Sequence, residues 1–330
     1  MNRAWRRIIQ GLAVLWGAWT LVFFLFAWVP DPARQMAGQN ERQEVVDAFR
    51  SRHGLDQPLS VRYFRFWAGL LPVGRDAAGE WGWKSPDLGR SFIGDRSVAE
   101  AIGGALPATL FLACWAMGIA SVLGILLGLF LSTRVDTPLD RWLLAAAALG
   151  MSAPSFVVAI GLAWLLGSVA HAYTGLPMTG GMWEVDPFEG PGLAWRNAIL
   201  PILTLAVRPL SVVTQLTRNA ALEVREQPYI RTARGKGLSE RRILFRHVLR
   251  NALNPVVTAI SGWFATLLAG AVFVEFVFGW QGMGMLMFRA LEQGDLPMVM
   301  GCVGVVAALF VVVNFGVDLL HGWLDPRMSD

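Results

Sequence analysis

The stretch EVREQPYIRTARGKGLSERRILFRHVLRNALNP, residues 223–255, decides how this chain is read, because it sets a dense basic segment between two long apolar blocks. It holds eight basic residues (Arg225, Arg231, Arg234, Lys236, Arg241, Arg242, Arg246 and Arg250) against three acids (Glu223, Glu226 and Glu240), a surplus of five. Lys and Arg in short loops beside membrane spans mark the cytoplasmic side. The segment therefore orients the apolar blocks around it.

Composition agrees. The 330 residues are 55% hydrophobic and only 16% charged, with a mean hydropathy of +0.47, well away from a soluble domain. The apolar runs reach the roughly 20 residues a membrane helix needs and lack the short alternating segments of a barrel. The expected fold class is an all-α membrane protein with six transmembrane helices, at about 8–29, 104–132, 141–170, 197–222, 255–277 and 297–321. An even number places both termini in the cytoplasm. Arg134 and Arg141 lie between spans two and three, whereas the outward loops at 171–196 and 278–296 carry Glu184, Asp186, Glu189, Glu292 and Asp295. Arg3, Arg6 and Arg7 precede a first apolar run that ends at Trp28, Val29, Pro30 without a small-x-small cleavage site, so it reads as an uncleaved span.

Three regions follow: the first transmembrane helix at 1–29, an external region at 30–103, and a five-helix core at 104–330 with its cytoplasmic loop at 223–250. The external region balances ten basic against ten acidic residues and is too long to obey the charge rule. Residues 44–52 and 59–71 have helical apolar spacing. The cluster Tyr63, Phe64, Phe66, Trp67 suits either the headgroup level or a packed extramembrane helix pair. Residues 74–86 read as an inserted loop. Within the spans, Gly124 and Gly128 form a small-xxx-small pair that permits close helix contact, and Pro154, Pro201 and Pro209 interrupt the third and fourth helices.

Several chemistries are excluded by pattern. The net charge of +4 sits at the N-terminus and in the 223–255 segment without any stacking or base-reading signature, so it sets orientation and does not bind nucleic acid. Gly235-Lys236 has Ile230 five positions before it and Gly237 after it, which rules out a phosphate-cradling loop. The four histidines (His53, His171, His247, His321) have no paired-ligand spacing, so no metal site is expected. Cys114 and Cys302 lie in apolar runs, as buried thiols do; neither a disulfide nor a metal is expected. No nucleophile elbow occurs. Charge inside the spans is sparse: Arg218, Glu275 and Asp318 read as end-of-helix residues, while Arg208 lies about two turns into span four. A charge there costs at least about 2.5 kcal/mol unless it is paired or faces water, so Arg208 either lines a cavity or pairs, with Glu275 as one partner.

The basic segment itself reads as a short helix at 223–234, a break at Gly235 and Gly237, and a second amphipathic helix from Ser239, a residue able to cap it, through Leu244, Phe245, Val248 and Leu249. This segment resembles the EAA loop of the membrane subunits of binding-protein-dependent ABC importers, Glu-Ala-Ala, three residues, Gly, nine residues, Ile-x-Leu-Pro. Ala233, Gly237 and the 247–250 stretch occupy those places; Arg231 and Thr232 replace Glu and Ala, and His247 and Arg250 replace Ile and Pro. Those departures are similar to the peptide/nickel branch, whose loop runs close to YIRTARAKGLSERRVLxRHxLRNALLP, with Gly235 and Asn254 as the differences. LPATLFLA at 106–113, TPLD at 137–140, SAPSFVVA at 152–159, ILPILTLA at 199–206, LTRNAALEV at 216–224, GAVFVEFVFGWQGMG at 270–284 and LDPR at 324–327 look like successive landmarks of the B-type permease of that branch.

The resemblance implies a type I ABC importer permease (MetI-like) fold in a bacterial inner membrane and no enzymatic activity. Its implied partners are a homologous C-type permease, two cytoplasmic ATPase subunits and an external solute-binding protein. No cofactor would be bound by this chain; ATP and Mg would sit in the ATPases. The coupling surface would be Tyr229, Arg231, Thr232, Ala233, Arg234, Lys236, Gly237 and Leu238, with Ala233 and Gly237 permitting close approach. Pro154, Arg208 and Glu275 are the candidates for the translocation path. Peptides are the first expected substrate, with nickel chelates and oligosaccharides open; an ion-driven secondary transporter is the competing class.

Overall fold

Helix α1 (Arg3–Trp28) is followed by α2 (Gln43–His53), α3 (Leu59–Leu70) and an antiparallel hairpin of β1 (Val73–Arg75) with β2 (Trp81–Trp83). Next come the long α4 (Val98–Ser132), α5 (Pro138–Ser152), α6 (Ser155–Trp164) with a π turn (Leu165–Val169), the one-turn α7 (His171–Thr174), and a second antiparallel hairpin, β3 (Trp183–Asp186) with β4 (Gly190–Leu193). α8 (Trp195–Arg225), α9 (Pro228–Gly235), α10 (Glu240–Ile243), a π turn (Leu244–Val248), α11 (Leu249–Gly270), α12 (Val272–Phe278), α13 (Met283–Glu292) and α14 (Leu296–Leu324) complete the order. This computed structural model describes residues 3–28, 33–34, 42–75, 81–186 and 190–324. The chain divides into two compact units, Met1–Pro107 with Met285–Leu309, and Ala108–Gly284 with Phe310–Asp330.

Among the described residues four helices are long and apolar enough to cross a bilayer, α1, α4, α8 and α14, and the α5–α6 pair makes a fifth if its halves count as one span. α11, at 22 residues, spans about 33 Å and so also has the length to cross. The expected third span is therefore not one helix: α5 and α6 meet at 110°. The cause is Pro154, whose ring disfavours helical backbone at the residue before it; Ala153 sits at φ −68°, ψ 128°. Pro201 and Pro209 instead lie inside an unbroken α8. The expected fifth span is also divided, since α11 begins within the basic segment and stops at Gly270, before α12.

In the first unit, Trp19, Phe23 and Phe24 of α1 meet Tyr63, Phe66 and Trp67 of α3, with ring centroids 5.3–6.0 Å apart. The Tyr63 and Thr20 hydroxyls share a 2.8 Å hydrogen bond. Three of the four clustered aromatics thus pack on the first span, and Phe64 remains 70% exposed. Trp19 Nε1 donates to the Met300 carbonyl at 3.0 Å. Asp295 starts α14: its carboxylate accepts from the backbone N–H of Met298 at 3.4 Å and of Phe92 at 3.1 Å, and from the Ser91 hydroxyl.

The second unit is built around α8, whose apolar stretch is 56% buried against 11% for that of α1. α5, α6 and α11 pack on it. Apolar helices gain little by hydrophobic association inside lipid, so close contact depends on small residues. Gly124 and Gly128 of α4 supply it: a Cβ on Gly128 would stand 2.6 Å from the Thr214 carbonyl oxygen and 2.9 Å from the Arg218 nitrogen, and one on Gly124 would stand 2.7 Å from Val213. Gly150 of α5 lies equally close to Ser211. The hydroxyls of Thr204, Ser211 and Thr214 bond to carbonyls one turn back at 2.7–2.8 Å, which satisfies them inside an apolar bundle.

Candidate functional site

The basic segment folds as a helical excursion between α8 and α11. α8 runs to Arg225, two residues beyond the expected start of a separate helix, and the break falls at Gln227, φ −66°, ψ 143°, with Pro228 opening α9. Pro is suited to a first helical position because its missing N–H would be unpaired there anyway. α9 ends at a left-handed Gly237, φ +79°. Leu238 N–H bonds to the Ala233 carbonyl at 3.3 Å and Gly237 N–H to that of Arg234 at 2.9 Å, the paired bonds of a Schellman stop. Ser239 occupies the cap position of α10, but its side chain makes no capping bond.

One face of this excursion is anchored. Ile230, Ala233, Ile243 and Val248 are buried with Leu129, Ala221 and Ala252, and Leu238 packs against them. Ala233 therefore faces the chain's own bundle, where its size lets α9 lie close. Gly237 differs: a Cβ there would meet nothing within 4 Å, so the glycine serves the backbone turn and leaves the outer side open. Tyr229, Arg231, Thr232, Arg234, Gly235 and Lys236 are exposed.

Charge organises the excursion. Arg234 Nε donates to Glu240 at 2.6 Å and Arg225 lies 3.6 Å from the same carboxylate. The Arg234 hydrogen bond holds the Glu240 carboxyl below the usual carboxylate range and raises the Arg234 guanidinium. A lowered carboxylate pKa adds stability that is present above the unfolded value and lost as pH falls through the folded one. Both side chains are well exposed, so the pair contributes about 0.2–1 kcal/mol. Glu240→Gln should accordingly lower the melting temperature slightly at neutral pH, and the difference from the parent should vanish in melts run at progressively more acid pH, below the usual carboxylate range.

A second, far more buried pair joins α8 to α5. Arg218 of α8 grips Asp140 of α5 through two bonds, Nε to Oδ1 at 2.8 Å and Nη2 to Oδ2 at 2.7 Å, with the side chains 12% and 2% exposed. Asp140 also accepts the Asp136 N–H at 3.1 Å, and the Thr137 hydroxyl caps α5 by accepting the Asp140 N–H at 3.3 Å. Sequence reasoning took Arg218 for an end-of-helix residue. The available signal was that opposite charges sit at the inner ends of neighbouring spans, within the TPLD and LTRNAALEV stretches.

The three path candidates occupy different surroundings. Pro154 is exposed at the α5–α6 break. Arg208 is exposed and stacks over the Trp263 ring of α11 at 5.5 Å, so an aromatic face takes the place of the anticipated Glu275. Glu275 is fully buried and accepts a 2.6 Å bond from the Thr109 hydroxyl, which in turn accepts the Met283 N–H at 2.7 Å. Trp280 Nε1 donates to the Ala108 carbonyl at 3.1 Å. Gly282 abuts Glu275 and Thr109, and a Cβ on Gly284 would stand 2.6 Å from the Val272 Cα. The GAVFVEFVFGWQGMG stretch thus forms α12 and a close turn that bury Glu275, Phe278 and Trp280 while Phe273 and Phe276 stay exposed. Among the described residues, no group of His, Cys, Asp and Glu could hold a metal.

A helical bundle centred on α8 thus carries a basic two-helix excursion between α8 and α11. A solved inward-facing methionine ABC transporter shares this fold: TM-score 0.56 and 17% identity, over 69% of this chain and 97% of that one. Residues 120–330 match the family described as binding-protein-dependent transport system inner membrane component, and residues 1–113 match its N-terminal membrane component. The chain belongs to this family and is a permease subunit of a binding-protein-dependent ABC importer. It is 37% identical to a putative peptide transport system permease of Brucella abortus (98% of this chain, 97% of the relative). It is 34% identical to a probable D,D-dipeptide transport system permease of Escherichia coli K12 (99% and 96%) and 35% identical to a di/tripeptide transport system permease of Pseudomonas aeruginosa (98% and 97%).

Proposed function

We propose that this permease forms a path for short peptides together with a homologous C-type permease, that its α9 excursion is the contact through which two cytoplasmic ATPases drive it, and that an external binding protein delivers the substrate. The observation that carries the coupling role is the two-faced character of α9: Ile230 and Ala233 pin one side to the bundle, while Tyr229, Arg231, Thr232, Arg234 and Lys236 stand outward. A short helix held this way transmits a push as rigid-body motion. Relatives named as peptide, dipeptide and di/tripeptide permeases over nearly the whole length support peptides as substrate over nickel chelates or oligosaccharides. In this reading ATP and Mg bind to the ATPases and this chain catalyses nothing. Both termini and the 223–250 loop face the cytoplasm, residues 1–29 form the first span, 30–103 form an external region and 104–330 form the core. Pro154, Arg208 and Glu275 are assigned to the path and its supporting turn.

Reconstituted with its partners in proteoliposomes, the complex should take up a labelled dipeptide only with ATP and the binding protein. Gly237→Glu should lower uptake at least tenfold while membrane insertion is retained. Gly237→Asn, which tolerates the left-handed turn, should keep most activity. Full uptake by Gly237→Glu would overturn the coupling role, uptake driven by an ion gradient without ATP would overturn the importer mechanism, and transport of nickel chelates or oligosaccharides alone would overturn the substrate.

A further inference from the structure

Glu240 accounts for two of the eight basic residues of the excursion, Arg225 and Arg234, and the outer face of α9 carries Arg231 and Lys236. Four remain: Arg241, Arg242, Arg246 and Arg250, all exposed. Among the described residues no carboxylate lies within salt-bridge distance of any of them. Three of these, Arg241, Arg242 and Arg246, share one open, shallow surface patch with Ser239 and Phe245. On the opposite side of the same turns, Ile243 and Val248 are buried in the bundle, so the arginines are held outward by packing that does not involve them.

Position identifies what the patch faces. Arg250 lies in the first turn of α11, and the helix becomes mainly apolar beyond Asn254, about one turn further on. Arg246 is one turn before Arg250 and Arg242 two, about 12 Å along the axis at 1.5 Å per residue. That distance is within the reach of long side chains over a headgroup layer several ångströms thick. Phe245 is 47% exposed amid these charges, where an aromatic ring can enter the interface beside a lipid's glycerol and upper chains. Guanidinium forks match phosphate oxygens in a bidentate manner, and a basic cluster immediately cytoplasmic of a membrane helix attracts anionic lipid.

The geometry points to a binding site for the phosphate of an anionic phospholipid headgroup, made by Arg241, Arg242 and Arg246, extended by Arg250, and anchored by Phe245. The site adjoins α9 in sequence and shares its inner anchor through Ile243 and Val248, so lipid held here would steady the base from which the coupling helix projects. It rests on the reading of the chain as a permease with this loop at the cytoplasmic face, and not on the identity of the substrate.

The test places the complete complex in nanodiscs and measures the affinity of spin-labelled phosphatidylglycerol relative to spin-labelled phosphatidylcholine. The expected preference is about tenfold, falling as salt is raised. Arg241→Gln/Arg242→Gln/Arg246→Gln should abolish it, whereas Arg231→Gln/Lys236→Gln on α9 should leave it intact. Should the triple variant fail to insert, Arg242→Gln and Arg246→Gln tested singly should each reduce the preference about threefold. Equal affinity for the two lipids in the parent, or an undiminished preference in these variants, overturns the site. Displacement of the lipid by millimolar inorganic phosphate would show a soluble-phosphate site and overturn the lipid assignment. Release of the ATPases by the triple variant, with its lipid preference unchanged from the parent, would make the patch a protein contact and overturn it as well.

Discussion

Asp140→Ala should destabilise the folded permease by about 3–5 kcal/mol, the range seen when one partner of a buried ion pair is removed and the other is left uncompensated. Arg218 would keep its charge at 12% exposure, and the Asp136 N–H would lose its acceptor. The Thr137 cap would survive, because it uses the backbone of residue 140; the loss would therefore report the carboxylate and not the helix start. Melting of the purified protein should show a large drop in temperature and in folded yield. The double replacement Asp140→Leu/Arg218→Met should recover most of it, since apolar residues of similar volume often replace a buried pair without net loss. A melting temperature for Asp140→Ala equal to that of the parent would show that the pair does not hold α5 to α8.

Gly128→Ala is the second large effect. One added carbon would stand 2.6 Å from the Thr214 carbonyl oxygen and 2.6 Å from Thr217 Cβ, and backbone cannot yield as a flexible side-chain end can. Overpacking of this kind costs about 1–3 kcal/mol, with Gly128→Leu costing more. Gly161→Ala is the control: nothing lies within 4 Å of its added carbon, and alanine gains up to about 1 kcal/mol of helix propensity over glycine. The expected order of melting temperatures is Gly161→Ala at or above the parent, then Gly128→Ala, then Gly128→Leu. The same carbon on Gly128 approaches the Arg218 nitrogen at 2.9 Å, so combining Gly128→Ala with Asp140→Ala should give a non-additive result. Gly128→Ala melting with the parent would mean that α4 and α8 separate at little cost.

Much of the architecture was legible because membrane insertion is written in one dimension. Apolar length and the placement of Lys and Arg depend on composition along the chain, so the segments at 8–29, 104–132, 197–222 and 297–321 correspond to α1, α4, α8 and α14 with shifts only at their ends. The third span was harder to read. Pro154, Pro201 and Pro209 look alike in sequence, yet only Pro154 breaks its helix, because the outcome depends on neighbours that accommodate a helical proline. The Gly124 and Gly128 pair was readable by spacing, although its partner, α8, was not.

For the functional loop, sequence alone determined the basic charge, the place of the segment between two spans and the glycine at its turn. These are properties of residue identity and order. Tertiary structure decided which side of each residue faces outward: it turned Ala233 inward and set Gly237 in a left-handed stop. It also joined Arg218 to Asp140, 78 positions away, and gave Arg208 an aromatic partner in place of Glu275. The physical reason is that charge and hydropathy act on each residue where it stands in the chain, whereas ion pairing, stacking and burial depend on which helices the bundle brings within a few ångströms of one another.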